Sequence, residues 1–199
     1  MLKSILFIGA ASARLTAGSC PDIEYTADFD ANKYAGKWYE QVRDRFNPFT
    51  ITTDCVTKEF APDENNDIQL YFRGYYNMFW RYSGVEGMMY QCDEDSDDFT
   101  CMATMGPHSR DEGQHRIPFH IFDTDYESYD ISYECYDFHG FVKYEMFSVA
   151  TREENASKET MDKVKAVIDE KIPHYKLDSN WLLVSGLQGE FCDYEWNFE

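Results

Sequence analysis

From Gly36 to Arg152 the chain repeats one pattern, a run rich in Val, Ile, Thr, Tyr and Phe followed by a polar break. Apolar and polar positions alternate within many of these runs, the period of a strand with two different faces. The pattern predicts strands over 37–44, 53–61, 68–76, 80–91, 98–105, 116–123, 128–137 and 141–151. The breaks carry turn chemistry: Asn47-Pro48, Asp63-Glu64-Asn65-Asn66, Gly106-Pro107, Asp111-Glu112-Gly113 and His139-Gly140. Short strands at near-regular spacing predict an all-β protein, an antiparallel sandwich or barrel.

Some strands are apolar on both faces. Over 141–150, Tyr144, Met146, Ser148 and Ala150 share one side, and Glu145, Phe147 and Val149 the other. Such a strand needs cover from outside its sheet, and the next segment supplies it. Ser157 is placed to cap a helix, with Glu159 in the first turn. Met161, Val164, Ile168 and Ile172 then recur at helical spacing, flanked by Val167, with charged residues on the opposite side and Pro173 as the stop. This amphipathic stripe is read as packing onto the β domain. Trp181-Leu182-Leu183-Val184-Ser185-Gly186 predicts a ninth short strand.

The start of the chain reads differently. Lys3 precedes the apolar run Ile5-Leu6-Phe7-Ile8-Gly9-Ala10-Ala11, and small residues follow at Ala11-Ser12-Ala13 and Ala17-Gly18-Ser19. This predicts a secretory signal peptide over 1–19, cleaved at one of those two places, and one domain over 20–199. No later run is long and apolar enough to predict a membrane span. The formal net charge of −19 predicts repulsion from nucleic acid and from anionic membranes. Six cysteines in an exported chain predict three disulfides, whose pairing the count leaves open. Cys92 and Cys101 flank an acidic, turn-like segment and are placed to staple one hairpin. Asn155-Ala156-Ser157 is an N-glycosylation sequon just before the helix.

Motifs for hydrolytic, metal-dependent and nucleotide-dependent catalysis are absent: there is no H-E-x-x-H, no G-x-S-x-G and no Gly-rich phosphate loop. The five histidines show no zinc-ligand spacing, and no C-x-x-C occurs. Asp93, Asp95 and Asp97 lack the Gly and terminal Glu of a calcium loop. The reading is a non-enzyme with no metal.

Three short motifs then stand in order: Tyr34-Ala35-Gly36-Lys37-Trp38-Tyr39, Thr124-Asp125-Tyr126, and Arg152. Together with Cys20, Cys55, Cys135 and Cys192, this set resembles the lipocalin family, in the branch of apolipoprotein D, the insect bilin-binding proteins and the crustacyanins. The resemblance implies an eight-stranded antiparallel up-and-down β-barrel with the helix packed outside. It implies disulfides Cys20–Cys135 and Cys55–Cys192, with Cys92–Cys101 added by the hairpin reading. It gives Gly36, Trp38, Thr124, Asp125, Tyr126 and Arg152 structural roles. Trp38 would plug one end of the barrel and Arg152 would lie over its indole.

The cup's lining follows from parity. If Cys55 and Cys135 point outward, then Val56, Lys58, Phe60, Leu70, Phe72, Tyr76, Ile117, Phe119, Ile121, Tyr136, Tyr144, Met146 and Ser148 point inward, with Gly74 leaving room. Strand 128–137 conflicts with this, because Tyr129, Ile131 and Tyr133 look like an inner face. Lys58 is read either as reaching water at the rim or as meeting a ligand carboxylate, less readily as a Schiff base. The expected function is a secreted carrier of a small hydrophobic ligand: a bilin such as biliverdin, a carotenoid, a retinoid or a fatty acid. A lipocalin-fold enzyme acting on a lipophilic substrate and an interaction protein using its acidic surface are the alternatives. Homo-oligomerisation is left open.

Overall fold

A computed structural model of the chain describes residues 14–23, 26, 29–45, 52–64, 67–89, 104–105, 120–173, 175, 177 and 183–195. Strand β1 (Arg14–Ala17) and the short helix α1 (Ala31–Tyr34) precede β2 (Gly36–Asp44), β3 (Thr53–Pro62), β4 (Ile68–Tyr76), β5 (Arg81–Met89) and β6 (Thr104–Met105). Then follow β7 (Ile121–Thr124), β8 (Tyr129–Phe138), β9 (Val142–Thr151), α2 (Lys158–Lys171) and β10 (Leu183–Ser185). The ladder runs β6-β5-β4-β3-β2-β9-β8-β7, with β1 on β9 and β10 on β2. Every pairing is antiparallel. The sheet curls on itself: Ile121 of β7 shares one buried cluster with Ile68 and Leu70 of β4 and Met89 of β5, strands from the far side of the ladder.

α2 covers the outer face, as its stripe predicts. Val164, Ile168 and Ile172 are buried, and Met161 and Val167 pack beside them. Beneath lie Tyr129, Ile131 and Tyr133 of β8 and Phe147 and Val149 of β9. This settles the conflict on β8. Its aromatic side faces the helix, so Cys135 is outward with Tyr133, and the inner side is Asp130, Ser132, Glu134 and Tyr136. The apolar side of a strand need not be the barrel's inside when a helix covers the outside. Ser157 caps α2, its Oγ accepting from the Thr160 amide at 3.1 Å.

Two disulfides tie the chain ends to the barrel. Cys20–Cys135 and Cys55–Cys192 have Cα separations of 5.8 and 5.5 Å. Near the second, β2 pairs with β3 only over Gly36–Tyr39, and β10 takes over as the neighbour of β2 at Val42–Asp44. Gln188 bridges the parting: its Nε2 donates to Glu40 O at 3.0 Å and Val56 O at 2.8 Å.

Several expectations need correction or fall elsewhere. α1 has no counterpart in the sequence reading. β1 lies inside the stretch read as leader; cleavage after Ala13 keeps it and cleavage after Ser19 removes it. Of the strands predicted over 98–105 and 116–123, only 104–105 and 120–123 are described. Cys92, Cys101, Ile117 and Phe119 lie outside the described residues. Gly74 does not leave room in the cup, because a Cβ there would run into Thr53 and Val56 of β3.

Candidate functional site

One end of the barrel is sealed. α1 begins at Asp30, whose Oδ1 accepts from the Asn32 and Lys33 amides at 3.1 Å each. It delivers Tyr34 against Trp38, ring centroids 5.0 Å apart, and against Phe60 at 4.7 Å. The Trp38 Nε1 donates to Tyr34 O at 2.9 Å. Arg152 lies over the indole, 3.7 Å from its centroid. Its Nη2 donates to Lys33 O, Tyr34 O and Tyr126 O, and its Nη1 to Lys37 O at 3.2 Å. Gly36 has φ +99, and a Cβ there would press on Arg152 Nη1 at 3.2 Å. The Gly in the G-x-W motif thus has two physical causes, backbone conformation and the approaching guanidinium.

Thr124-Asp125-Tyr126 forms the turn beside this plug. Asp125 Oδ1 accepts from the amides of Glu127, Ser128 and Tyr129 at 3.1, 2.7 and 3.1 Å. Burial alone would raise its pKa, but these donors and the Ser128 hydroxyl hold it below the usual carboxylate value. Tyr126 OH accepts from the Asp30 amide at 3.1 Å, joining the turn to α1. All six motif residues therefore meet at the closed end.

Above the plug lies a belt of buried charge. Lys58 of β3 is 2% exposed, so the rim reading is corrected: its ammonium is enclosed and does not reach water. Its Nζ donates to Ser148 Oγ at 2.7 Å and lies 3.9 Å from Asp130 Oδ2. Arg43 pairs with Glu40, Nη1 to Oε1, at 3.0 Å. His120 Nδ1 meets Glu134 Oε2 at 2.8 Å. Burial pushes the Asp130 carboxyl up to about 6, with Lys58, Tyr34 and Ser132 opposing the rise. Burial also raises Glu40 against Arg43 and Lys58, and Glu134 against His120. A bulge between Glu40 and Val42 turns Arg43 inward while Val42 joins the helix side.

The belt contains residues that the sequence reading missed, Glu40, Arg43, His120, Asp130, Ser132 and Glu134, and Tyr34 of the motif was not assigned to the floor. A usable signal was present. With Cys135 outward, parity alone places Asp130, Ser132 and Glu134 inside.

The upper wall is different. Phe72 and Tyr76 of β4, Tyr136 of β8, and Tyr144 and Met146 of β9 lie on the inward parity and keep partial exposure, whereas Val56, Phe60, Leu70, Ile121 and Ser148 are buried. Tyr136 and Tyr144 have ring centroids 5.9 Å apart. Burial raises the Tyr76 and Tyr144 phenols. The arrangement is a sealed aromatic floor, a polar belt and an accessible ring of aromatic side chains around the upper interior. Among the described residues no helix is long and apolar enough to cross a membrane, and no group of three or more His, Cys, Asp or Glu could hold a metal ion.

A single antiparallel sheet curled around a Trp–Arg plug, with a helix outside, defines a lipocalin-type β-barrel. Residues 35–177 match the Lipocalin / cytosolic fatty-acid binding protein family, and the chain belongs to it. It is similar to the Lazarillo protein of Schistocerca americana, 25% identical over 198 residues that cover 94% of this chain and 83% of that one. Among solved structures it resembles insecticyanin of the tobacco hornworm Manduca sexta, at 18% identity and TM-score 0.71, covering 90% of this chain and 92% of that one. Lobster apocrustacyanin A1 is similar at 19% identity and TM-score 0.67, covering 91% and 94%.

Proposed function

We propose that the protein is a secreted carrier that holds one small hydrophobic molecule in the barrel. The observation that carries this reading is the contrast inside the cup: Trp38, Tyr34 and Phe60 are buried at the floor, while Phe72, Tyr76, Tyr136 and Tyr144 stay partly exposed on the inward face. Aromatic walls of this kind bury a flat apolar body and stack on its faces. Val56, Lys58, Phe60, Leu70, Phe72, Tyr76, Ile121, Tyr136, Tyr144, Met146 and Ser148 are the proposed lining among the described residues. A conjugated chromophore, a bilin such as biliverdin or a carotenoid, is the preferred class, ahead of a retinoid or fatty acid.

Family membership supports a binding role over catalysis, and Lys58 and Arg43 are each paired with a buried carboxylate. Secretion is supported by the apolar leader and by disulfides, which persist in oxidising compartments. Asn155 of the sequon is exposed in the bend before α2, which supports glycosylation there.

Mass spectrometry of an organic extract of the natively sourced protein tests the reading. The expected result is one apolar species in near-stoichiometric amount, coloured if it is a bilin or carotenoid. An extract without such a species, from protein that also takes up no apolar probe in solution, contradicts it.

A further inference from the structure

We propose that the floor of the cup is a head-group site for a hydrogen-bond donor without negative charge, a hydroxyl or a protonated amine, received by Asp130 and Tyr34. This inference rests on the carrier reading above and sharpens it. It also replaces the acid-ended ligand that Lys58 suggests from sequence alone: within the preferred class it favours a hydroxyl-bearing carotenoid, and a bilin would have to keep its propionates away from this floor.

The first ground is charge. Lys58 lies 3.9 Å from Asp130 and donates to Ser148. Arg43 is held by Glu40 at 3.0 Å, and the His120 ring by Glu134 at 2.8 Å. An incoming carboxylate would find these partners engaged and would face three buried acids, Glu40, Asp130 and Glu134. Bringing an unmatched anion into such a space is costly.

The second ground is unmet hydrogen bonding. Asp130 Oδ1 and the Tyr34 hydroxyl are fully buried and make no hydrogen bond among the described residues. The hydroxyl lies near enough to ease the Asp130 carboxylate's charge, yet it does not close to full hydrogen-bond contact. A buried acceptor left unmade is expensive, and a ligand donor relieves it. A hydroxyl would donate to Asp130 Oδ1 and accept from Tyr34. An ammonium would donate to both oxygens.

The third ground is access. Tyr136, Glu134, Ser132 and Asp130 share the inward side of one strand, so a polar track descends β8 from the accessible aromatic ring to the orphaned carboxylate oxygen. Phe72, opposite Lys58 on β4, gives the apolar chain a wall at the same level.

The test uses three ligands with one chain: hexadecanol, hexadecylamine and palmitate, each displacing the neutral probe N-phenyl-1-naphthylamine. At pH 8 the alcohol and the amine should bind the parent at least about tenfold tighter than palmitate, the scale of a hydrogen bond to a charged group. Asp130→Asn should weaken the amine most and strengthen palmitate, because Lys58 loses its counter-charge. A variant that was merely damaged would lose all three alike. Tyr34→Phe removes only a hydroxyl without a hydrogen bond, so the fold should hold while the alcohol weakens several-fold. A parent that takes up the probe but ranks palmitate level with or above the donors overturns the inference and leaves the carrier reading standing. So does an alcohol affinity unmoved by both substitutions. A parent that takes up no probe overturns the carrier reading, and the inference with it.

Discussion

Arg152 serves the closed end through both its plane and its edge: the plane lies 3.7 Å from the Trp38 centroid, and the edge gathers carbonyls from α1, β2 and the Thr124–Tyr126 turn. Trp38 is fully buried, so Trp38→Ala should lower unfolding free energy by about 3–5 kcal/mol, as for other buried Trp truncations, measured by denaturant titration. Unchanged stability would show that the indole is not the plug. Asp130 carries the pH dependence. Its carboxyl, ordinarily near 3.8, is pushed up to about 6 by burial, so the folded state holds the proton more tightly than the unfolded chain. The group therefore favours folding below its unfolded pKa, and that advantage is lost as pH rises through the folded pKa. The stability of the parent relative to Asp130→Asn should fall between about pH 4 and 6 and level off above. A difference that stays flat or rises over this window contradicts the assignment. The Trp38–Arg152 contact was legible through the family resemblance that the three motifs carry together. Lys58 was legible as inward but not as paired, since its partners Ser148 and Asp130 come from strands some ninety and seventy residues further on, and no local pattern joins them.

The elements repay the same comparison. The pleat rule placed β2, β3, β4, β5, β8 and β9 within a residue or two of their observed ends, and the cap, stripe and Pro stop placed α2. β8 misled because both sides of it are buried by different neighbours: its aromatic side is covered by α2, and its polar side by the barrel's own ion pairs. α1 went unseen because four residues are too few for a helical period; only its Asp30 cap could have announced it. Ile168 is fully buried at the helix–sheet contact, so Ile168→Ala should cost about 2–5 kcal/mol, while exposed Lys163→Ala should change stability by less than about 0.5 kcal/mol. Equal small effects would mean that the helix does not close the outer core. Replacing Cys55 and Cys192 together by Ser should lower stability by about 2–4 kcal/mol and loosen the 187–188 segment that bridges β2 and β3, seen as faster exchange of the backbone amide at position 55, which donates to Leu187 O at 2.8 Å. Unaltered exchange there would show that β10 holds this seam unaided.

At the scale of the whole molecule, the curl of the sheet converts two-faced strands into an inside and an outside, and each face then acquires its own chemistry. The alternating runs and the covering helix made an all-β sandwich or barrel legible, and the choice of barrel and the two chain-end disulfides were legible only through the family resemblance. The cup's content was less so. Parity sorts residues to a face, but it does not tell a sealed floor from an accessible wall, and that distinction arises only when α1 tucks Tyr34 onto Trp38 from outside the strand pattern. The net charge of −19 favours solubility even though Met78, Phe79 and Trp80 are exposed on the turn after β4, and the carrier reading puts the hydrophobic ligand inside the barrel. The most direct measurement of that claim is a titration of the purified, delipidated protein with N-phenyl-1-naphthylamine, comparing the parent with Met146→Trp on the inner wall and Lys163→Ala on the outer helix. The account predicts saturation at one probe per chain in the parent and in Lys163→Ala, and loss of uptake in a folded Met146→Trp. Uptake that survives the inner substitution unchanged, or a parent that binds no probe, would contradict it.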